Sequence, residues 1–222
     1  MADKEICKIF LSQKMKKNSR HTDYSSCSTN IERYESRNPL LRALMDRFLR
    51  EIVLLAGSIE VKKILDLGCG EGFVINKLLE SYPNIEITGL DLNAKALDLA
   101  QRLNPGIEFI REDIYTFPCE KKIFDLVMAI EVLEHMKKPE EVLNKISKLT
   151  RKYALLSIPH EPFFKISNFI RGKNILRFGN DPEHINNWTK EQFLKLLKKN
   201  KFKILKTVTP FPWVIVLAEV SA

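Results

Sequence analysis

With 222 residues, 45% of them hydrophobic and 29% charged, the chain has the composition of a globular protein that can bury a core, which excludes a chain disordered throughout. No stretch approaches the ~20 apolar residues that cross a bilayer, and charges interrupt the amino-terminal residues, so neither a transmembrane segment nor a secretory signal is predicted. The four cysteines are scattered with no CxxC pair, and we expect a cytoplasmic protein with free thiols.

The net charge of +8 is unevenly distributed along the chain. Residues 61–159 include 14 basic and 15 acidic side chains, whereas residues 160–222 include 11 and 5, and residues 1–60 include 11 and 8. The excess positive charge therefore lies in the flanks, where it would attract phosphate groups, RNA or an anionic membrane surface. A lysine-rich, solvated surface explains the same charges, because charge alone defines neither a groove nor a stacking platform.

Regular structure is expected to begin after a mobile N-terminal extension, residues 1–38, which is rich in Lys, Ser and Asn. From Pro39 to Ala56 apolar residues recur at three- and four-residue steps, which predicts a helix that ends at Gly57. Strands and helices then alternate. The predicted strands are Lys62–Leu67, Ile85–Asp91, Ile107–Ile110, Phe124–Ile130 and Tyr153–Pro159, and the helices between them are Glu71–Ser81, Ala94–Leu103 and Pro139–Leu149.

The last part of the chain returns to a regular pattern with a predicted helix, Thr189–Asn200. Two β-rich runs follow it, FKILKTVT and WVIVLAEV, and the Pro-Phe-Pro between them predicts an antiparallel pair. Alternating strands and helices are typical of a parallel sheet with helices on both faces. The sequence therefore predicts an α/β fold with a doubly wound, seven-stranded, mostly parallel sheet and an antiparallel C-terminal strand pair, in a single domain over residues 39–222.

A glycine-rich turn follows the first predicted strand, in the run DLGCGEG. A strand, a glycine turn and a helix together bring backbone N–H groups and a helix N-terminus to a ligand, and glycine allows an approach that a Cβ would hinder. Three acids follow successive strands, namely Asp66, Asp91 and Asp113. Because the carboxyl ends of parallel strands share one edge, we predict a nucleotide site there, with Asp91 placed to accept hydrogen bonds from ribose hydroxyls.

The chain resembles class I S-adenosylmethionine (SAM)-dependent methyltransferases in four motifs that occur in order, DLGCGEG, GLDLN, REDIYTFP and FDLVMAIEVLEHM. The resemblance covers residues 61–159 and implies a Rossmann-like SAM methyltransferase fold with SAM as the cofactor. It implies that Asp66 lies near the methionine amino group, that Asp91 holds the ribose, and that Leu92 and Ile114 contact the adenine. The cofactor-binding set that it implies is Asp66, Gly68, Cys69, Gly70, Gly72, Asp91, Leu92, Asp113, Ile114, Ala129 and Ile130.

NAD is the alternative ligand, because dinucleotide-binding folds also carry an acid after the second strand. Two details of the sequence disfavour NAD. The turn reads GxGxG rather than GxGxxG, and Asp66 stands where dinucleotide binders usually carry an apolar residue.

Methyl transfer needs no protein nucleophile, because the cofactor carries the reactive group. The protein aligns the acceptor, excludes water and, where the acceptor carries a proton, removes it. Histidine titrates near neutral pH, so the candidate catalytic bases are His135, His160 and His184. For each of them the alternative is a histidine that hydrogen-bonds the backbone and positions a loop.

The segment EVLEH, which follows the fourth strand, also predicts a divalent metal site. If this segment is helical, Glu131, Glu134 and His135 share one face, and with His160 or His184 as a fourth ligand they would bind a cation. The segment resembles the metal-binding segment of small-RNA 2′-O-methyltransferases. It resembles equally the matching segment of quinone-biosynthesis O-methyltransferases, and it recurs in small-molecule methyltransferases where no metal is implied.

Residues 160–188 form the predicted substrate lid, which mixes four phenylalanines and Trp188 with Lys and Arg residues. Such a mixture suits an apolar or phosphate-bearing acceptor, stacked bases or peripheral contact with a membrane, and an ordinary packed insertion is the alternative.

The first functional hypothesis is a SAM-dependent methyltransferase of the small-molecule or quinone-biosynthesis type, which transfers the methyl group to an oxygen or nitrogen atom of a small-molecule or lipid-like acceptor. The others are an RNA methyltransferase, with or without assistance from a metal, and a non-catalytic SAM-binding protein, which the intact Asp66 and Asp91 disfavour. The sequence defines no oligomeric state.

Overall fold

The structure is a computed structural model that describes residues 38–119, 123–164 and 184–220. The predicted N-terminal extension, residues 1–38, lies outside the described residues except for Asn38. The predicted lid, residues 160–188, is described only at its two ends. Within the described residues, no helix is long and apolar enough to cross a membrane.

Helix α1, Pro39–Ala56, begins at an N-cap, since the Asn38 side chain accepts hydrogen bonds from the N–H groups of Leu40 and Leu41. It buries Phe48 and Ile52 and ends at Gly57, as predicted. The other helices are α2 (Phe73–Ser81), α3 (Ala94–Leu103), α4 (Pro139–Leu149) and α5 (Lys190–Lys199), and the strands are β1 (Lys63–Leu67), β2 (Glu86–Asp91), β3 (Glu108–Arg111), β4 (Phe124–Ile130), β5 (Thr150–Pro159), β6 (Phe202–Val208) and β7 (Trp213–Val220).

The seven strands form one sheet in the order β3-β2-β1-β4-β5-β7-β6. Strands β1 to β5 are parallel, and β7 runs antiparallel to both β5 and β6. This topology confirms the predicted doubly wound, mostly parallel sheet with an antiparallel C-terminal pair. The winding direction reverses between β1 and β4, so the fold opens a crevice at the carboxyl ends of these two strands.

Two hydrophobic layers enclose the sheet. Helices α1, α2 and α3 cover one face, where Phe48 and Leu78 belong to the cluster that contains Ile64 of β1. Helices α4 and α5 cover the other face, where Val142 and Phe193 belong to the cluster that contains Leu65. Neighbouring residues of β1 thus point to opposite layers, as the pleat of a strand requires, and both layers hold the carboxyl ends of the strands in fixed positions.

Candidate functional site

The glycine turn after β1 is held against the end of β2. The N–H groups of Gly68 and Cys69 both donate to the carbonyl oxygen of Leu90, at 2.7 Å and 3.0 Å. Gly68 has a φ of 72°, and a Cβ at this position would lie 2.6 Å from Cγ2 of Val132. Residue 68 is therefore glycine for two reasons, the left-handed backbone and the close approach of the segment after β4.

Asp91 is the last residue of β2, and its carboxylate reaches this turn. Oδ2 accepts a hydrogen bond from the Gly70 N–H at 2.8 Å, and Oδ1 accepts one from the Asn93 N–H at 2.8 Å. The Asn93 side chain in turn caps α3. The carboxylate is thus fixed between the glycine turn and the start of the next helix, which is where the sequence placed the ribose of a nucleotide.

Asp66 is a buried acid next to the turn, with 2% of its surface exposed. Burial raises the pKa of Asp66 to about 8, and the negative charge of Asp91 adds to the increase. Asp66 is therefore largely protonated at neutral pH when no cation lies beside it. Burial also raises the pKa of the Cys69 thiol, together with the charges of Asp66 and Asp91, so Cys69 behaves as an apolar group in the wall of the turn.

The remaining predicted cofactor residues lie along the same edge of the sheet. The turn after β3 touches the end of β2, because the Glu112 N–H donates to the Asp91 carbonyl oxygen at 3.3 Å. Asp113 starts a turn in which its Oδ1 accepts from the Tyr115 N–H at 2.8 Å. Leu92 is 61% exposed and presents an uncovered apolar surface beside Asp91. Three further residues of the predicted set are buried at this edge, Ile114, Ala129 and Ile130.

A glutamate and two histidines form a second cluster beyond β4. The donor atoms of Glu134, His135 and His184 all lie within 4.8 Å of one another, and the two imidazole rings are 5.0 Å apart. The backbone holds them together, since the N–H groups of Ile185 and Asn186 both donate to the Glu134 carbonyl oxygen at 2.9 Å. The Asn186 side chain adds a 2.7 Å hydrogen bond to the Met136 carbonyl oxygen. This part of the predicted metal set is brought together by the fold.

Glu131 occupies a different position from the one that the sequence suggested. The helical face that would join Glu131 to Glu134 is not formed, because only Leu133–His135 is helical and it is a single 3-10 turn. Glu131 precedes that turn with a φ of 58°, and its Oε1 and Oε2 accept hydrogen bonds from Ser157 Oγ at 3.0 Å and Trp213 Nε1 at 2.8 Å. Among the described residues, the cluster of metal-ligating side chains is therefore Glu134, His135 and His184.

Three residues of this region were missed by the sequence reasoning, namely Ser157, Asn186 and Trp213. Ser157 and Trp213 meet Glu131 because β4, β5 and β7 are neighbours, with Ile130 opposite Ser157 and Pro159 opposite Trp213. No local signal encodes that register, since it depends on pairing between distant strands.

His160 follows β5 and lies beside exposed aromatic side chains. Its backbone N–H donates to the Pro212 carbonyl oxygen at 2.8 Å. The ring centroids of His160 and Phe163 are 4.9 Å apart, and those of Phe163 and Phe211 are 6.2 Å apart. Phe163 and Phe211 are each 43% exposed, and we call these three residues the aromatic rim. Burial lowers the pKa of His160, an effect that Glu191 opposes and Lys190 reinforces. His160 is therefore neutral at pH 7, the state in which imidazole accepts a proton.

Comparison with known protein families gives a match to the methyltransferase domain family over residues 60–205 of this chain. The matched region includes the glycine turn, Asp91, the Glu134–His135–His184 cluster and the aromatic residue Phe163 of the rim.

Two curated relatives and one solved structure illustrate the similarity. The chain is 31% identical over 103 residues to a malonyl-[acyl-carrier protein] O-methyltransferase from Halalkalibacterium halodurans. That alignment covers 44% of this chain and 38% of the relative. The chain is also 29% identical over 128 residues to a demethylmenaquinone methyltransferase from Thermotoga maritima. That alignment covers 57% of this chain and 56% of the relative. The chain thus spans less than two thirds of the length of either relative.

The solved structure is the magnesium protoporphyrin IX methyltransferase from Synechocystis with bound SAH. It superposes with a TM-score of 0.66 at 19% identity and covers 90% of this chain and 97% of that one. At this level of identity the likeness shows a common fold, which agrees with the strand order described above.

Proposed function

Because this chain belongs to the methyltransferase domain family, we propose that it transfers a methyl group from SAM to an oxygen or nitrogen atom of a small-molecule or lipid-like acceptor. Membership confirms the class predicted from the sequence, class I SAM-dependent methyltransferases, and SAM as the cofactor of that class. The observation that carries the acceptor proposal is the aromatic rim, an exposed apolar surface at the carboxyl edge of the sheet.

The glycine turn and its acids fit SAM. The positive φ values of Gly68 and Gly70 form a tight turn without side-chain bulk at these two residues, and the fixed Asp91 carboxylate would accept hydrogen bonds from ribose hydroxyls. Asp66, buried and uncharged without a ligand, would gain a cationic partner in the amino group of the methionine part. When bound, SAM supplies an electrophilic methyl group, so the protein itself provides no nucleophile.

The acceptor would bind against the aromatic rim. Phe163 and Phe211 offer two ring faces to an apolar or planar acceptor, and such exposed aromatic surface is typical of binding sites. His160 lies against Phe163 and is neutral at pH 7, so it would accept the proton of an acceptor hydroxyl or amine. The malonyl-[acyl-carrier protein] and demethylmenaquinone enzymes among the relatives support an acceptor of this small or lipid-like kind.

We further propose that Glu134, His135 and His184 hold a divalent cation. Two imidazoles and one carboxylate within 4.8 Å suit Zn²⁺ or Mn²⁺ better than Mg²⁺, which prefers an all-oxygen octahedron. A cation there would lower the pKa of a bound hydroxyl. His135 and His184 would then serve as ligands, and His160 would remain as the base.

An RNA acceptor is the second candidate, and this same cluster favours it, because EVLEH resembles the metal-binding segment of small-RNA enzymes. The basic residues of the flanks are consistent with a phosphate-bearing acceptor. The two candidates differ in the molecule that receives the methyl group, and this can be measured directly.

The test is transfer of labelled methyl from SAM into cell extract that is then fractionated into lipid, small-molecule, RNA and protein pools. Gly68→Arg protein serves as the blank, because an arginine there cannot fit beside Val132. We expect label in the lipid or small-molecule pool. Label confined to RNA would establish the second candidate. Absence of label above the blank, from protein that binds SAM in calorimetry, would overturn both in favour of a non-catalytic SAM-binding protein.

The metal proposal is tested by titrating Zn²⁺, Mn²⁺ and Mg²⁺ into chelator-treated protein by calorimetry, alongside the methyl-transfer assay. We expect one site with the preference Zn²⁺ or Mn²⁺ over Mg²⁺, lost in His184→Ala and in Glu134→Gln. Glu140→Gln is the matched control, since Glu140 is an exposed acid on α4 outside the cluster. Unchanged binding in both cluster variants would show that the cation sits elsewhere.

A further inference from the structure

The residue that directly follows β4 has an unusual backbone conformation. Glu131 has a φ of 58°, a left-handed conformation that side chains other than glycine rarely adopt. Such a conformation persists only where surrounding contacts hold it, and it is commonly found at functional sites.

Three hydrogen bonds hold Glu131 in this conformation. Its N–H donates to Ser157 Oγ at 3.0 Å, and the Ser157 hydroxyl donates back to Oε1 at 3.0 Å. Trp213 Nε1 donates to Oε2 at 2.8 Å. Ser157 and Trp213 are buried, with 0% and 4% of their surfaces exposed, so one carboxylate joins the ends of β4, β5 and β7.

We propose that Glu131 is a positioning residue whose carboxylate, held by Ser157 and Trp213, fixes the segment after β4 against the glycine turn that binds SAM. This inference rests on SAM binding by the family and not on the acceptor or the metal proposed above. Under this proposal Glu131 is not a ligand of the cation, although the sequence predicts it as one together with Glu134 and His135.

The contact that transmits this effect is Val132 on Gly68. Val132 follows Glu131 directly and is 5% exposed, and its Cγ2 occupies the space that a Cβ of Gly68 would need. A change in the backbone of Glu131 therefore displaces the side chain that packs on the glycine turn. Because the turn would form one wall of the cofactor site, such a displacement would weaken SAM binding.

The same carboxylate also fastens helix α1. Its partner Trp213 packs on Phe48 with ring centroids 4.6 Å apart, and both rings are buried. The indole therefore has an apolar partner on α1 and a charged partner at the end of β4. Loss of the carboxylate leaves the indole N–H in an apolar setting, and its emission would report that change.

If Glu131 were a metal ligand, its carboxylate would have to give up one of these hydrogen bonds. Both carboxylate oxygens already accept hydrogen bonds, so a cation bound by Glu131 would have to take an oxygen from Ser157 or from Trp213. Glutamine separates the two roles. Its carbonyl oxygen accepts from Trp213 and its amide donates to Ser157, so it preserves positioning while it removes the charge that a cation needs.

The experiment uses the full chain with Trp188→Phe, which leaves Trp213 as the only tryptophan, since the sequence contains two. Glu131→Gln, Glu131→Ala and the exposed control Glu140→Ala are compared in this background by SAM calorimetry, Trp213 emission and metal titration. We expect Glu131→Ala to weaken SAM binding about tenfold or more and to shift the emission, whereas Glu131→Gln stays within about threefold. Divalent cations should leave Trp213 emission unchanged.

A double-mutant cycle adds a readout that a loss of general stability would not reproduce. With the emission arm omitted, Glu131→Ala combined with Trp213→Phe should weaken SAM binding no more than Glu131→Ala alone, because the two changes remove one interaction. The proposal is overturned if Glu131→Ala binds SAM as tightly as the control, or if Glu131→Gln loses both SAM and metal binding as fully as Glu131→Ala. It is also overturned if a cation shifts Trp213 emission in a saturable way. Should Glu131→Ala fail to fold, Glu131→Gln and the cation titration decide the question.

Discussion

The Asp91 carboxylate accepts a hydrogen bond from the backbone N–H of Gly70, with 2.8 Å between Oδ2 and N. The bond joins the acid at the end of β2 to the turn after β1, across 21 residues of sequence. Since Asn93 holds the second carboxylate oxygen, the side chain is oriented before any ligand arrives. Preorganisation of this kind reduces the ordering cost of binding.

Replacement of Asp91 should therefore weaken SAM binding without unfolding the protein. Asp91→Ala removes the acceptor of the ribose hydroxyls and frees the glycine turn, and we expect the dissociation constant for SAM to rise about tenfold to a hundredfold. Calorimetry measures this, with Asp98→Ala as the control, because Asp98 is an exposed acid on neighbouring α3. SAM affinity unchanged within error would show that the ribose lies elsewhere.

The buried acid Asp66 makes SAM binding depend on pH. Its folded pKa of about 8 lies above the ordinary value of 3.8, so the folded protein without ligand retains a proton that the unfolded chain releases. This contribution to stability is complete below pH 3.8 and is lost as the pH rises through about 8. A ligand ammonium beside Asp66 favours the ionised form, so SAM binding should release a proton and tighten with rising pH, by up to about tenfold per unit below the pKa.

SAM calorimetry between about pH 6 and pH 8, in two buffers of different ionisation enthalpy, measures both the affinity and the proton released. Asp66→Asn is the control, because the amide has the same shape and does not titrate. Its SAM affinity should be weaker and nearly flat over this range. A wild-type affinity that falls with rising pH would contradict the proposed contact with the amino group.

The effect of a steric clash between a side chain at residue 68 and Val132 can be separated from the effect of the left-handed backbone at that residue. Gly68 and Gly106 have φ values of 72° and 88°, but a Cβ on Gly106 meets nothing within 4 Å, whereas one on Gly68 meets Val132 at 2.6 Å. We expect Gly106→Ala to lose about 1 kcal/mol of unfolding free energy from the backbone alone. Gly68→Ala should lose about 1–3 kcal/mol more and bind SAM weakly.

Urea denaturation and SAM calorimetry measure the two effects. The double variant Gly68→Ala, Val132→Ala removes the valine methyl groups and should recover part of the lost SAM affinity. Equal losses in the two single alanine variants would mean that Val132 moves aside freely and does not define the turn.

The sequence predicts the frame of the site because that frame follows from local patterns. Most strand and helix bounds agree, and Asp66, Asp91 and the glycine turn fall at the carboxyl ends of neighbouring strands, since alternating strands and helices allow few topologies. Predicted Glu71–Ser81 starts at Phe73 instead, because Gly72 takes a left-handed conformation at the N-cap. This shift changes only the first turn of the helix.

The position of Glu131 lies beyond such patterns. Spacing alone places it on one helical face with Glu134 and His135, but the backbone at Glu131 is left-handed and the helix starts later. Its true partners, Ser157 and Trp213, come from β5 and β7, and only the register of distant strands brings them together. Sequence periodicity carries no information about that register.

At the opposite end of the sheet, Asp125 secures the start of β1. Its Oδ2 accepts from the N–H groups of Lys62 and Lys63 at 3.0 Å and 2.9 Å, and its Oδ1 binds the Arg151 guanidinium at 3.0 Å. Burial alone would raise the pKa of Asp125, but these backbone and guanidinium donors lower it below the ordinary value.

A lowered folded pKa makes the ionised form part of the folded state, so the contribution of Asp125 is complete above its unfolded pKa and is lost as the pH falls through the folded one. Asp125→Asn should therefore reduce the unfolding free energy by about 1–2 kcal/mol at pH 7, and the difference from wild type should shrink in acid. Urea denaturation at several pH values measures it, with Asp98→Asn as the exposed control. If the difference in unfolding free energy between Asp125→Asn and wild type were constant with pH, the hydrogen bonds would not require the charge. SAM binding, which takes place at the other end of the sheet, should be unchanged in either case.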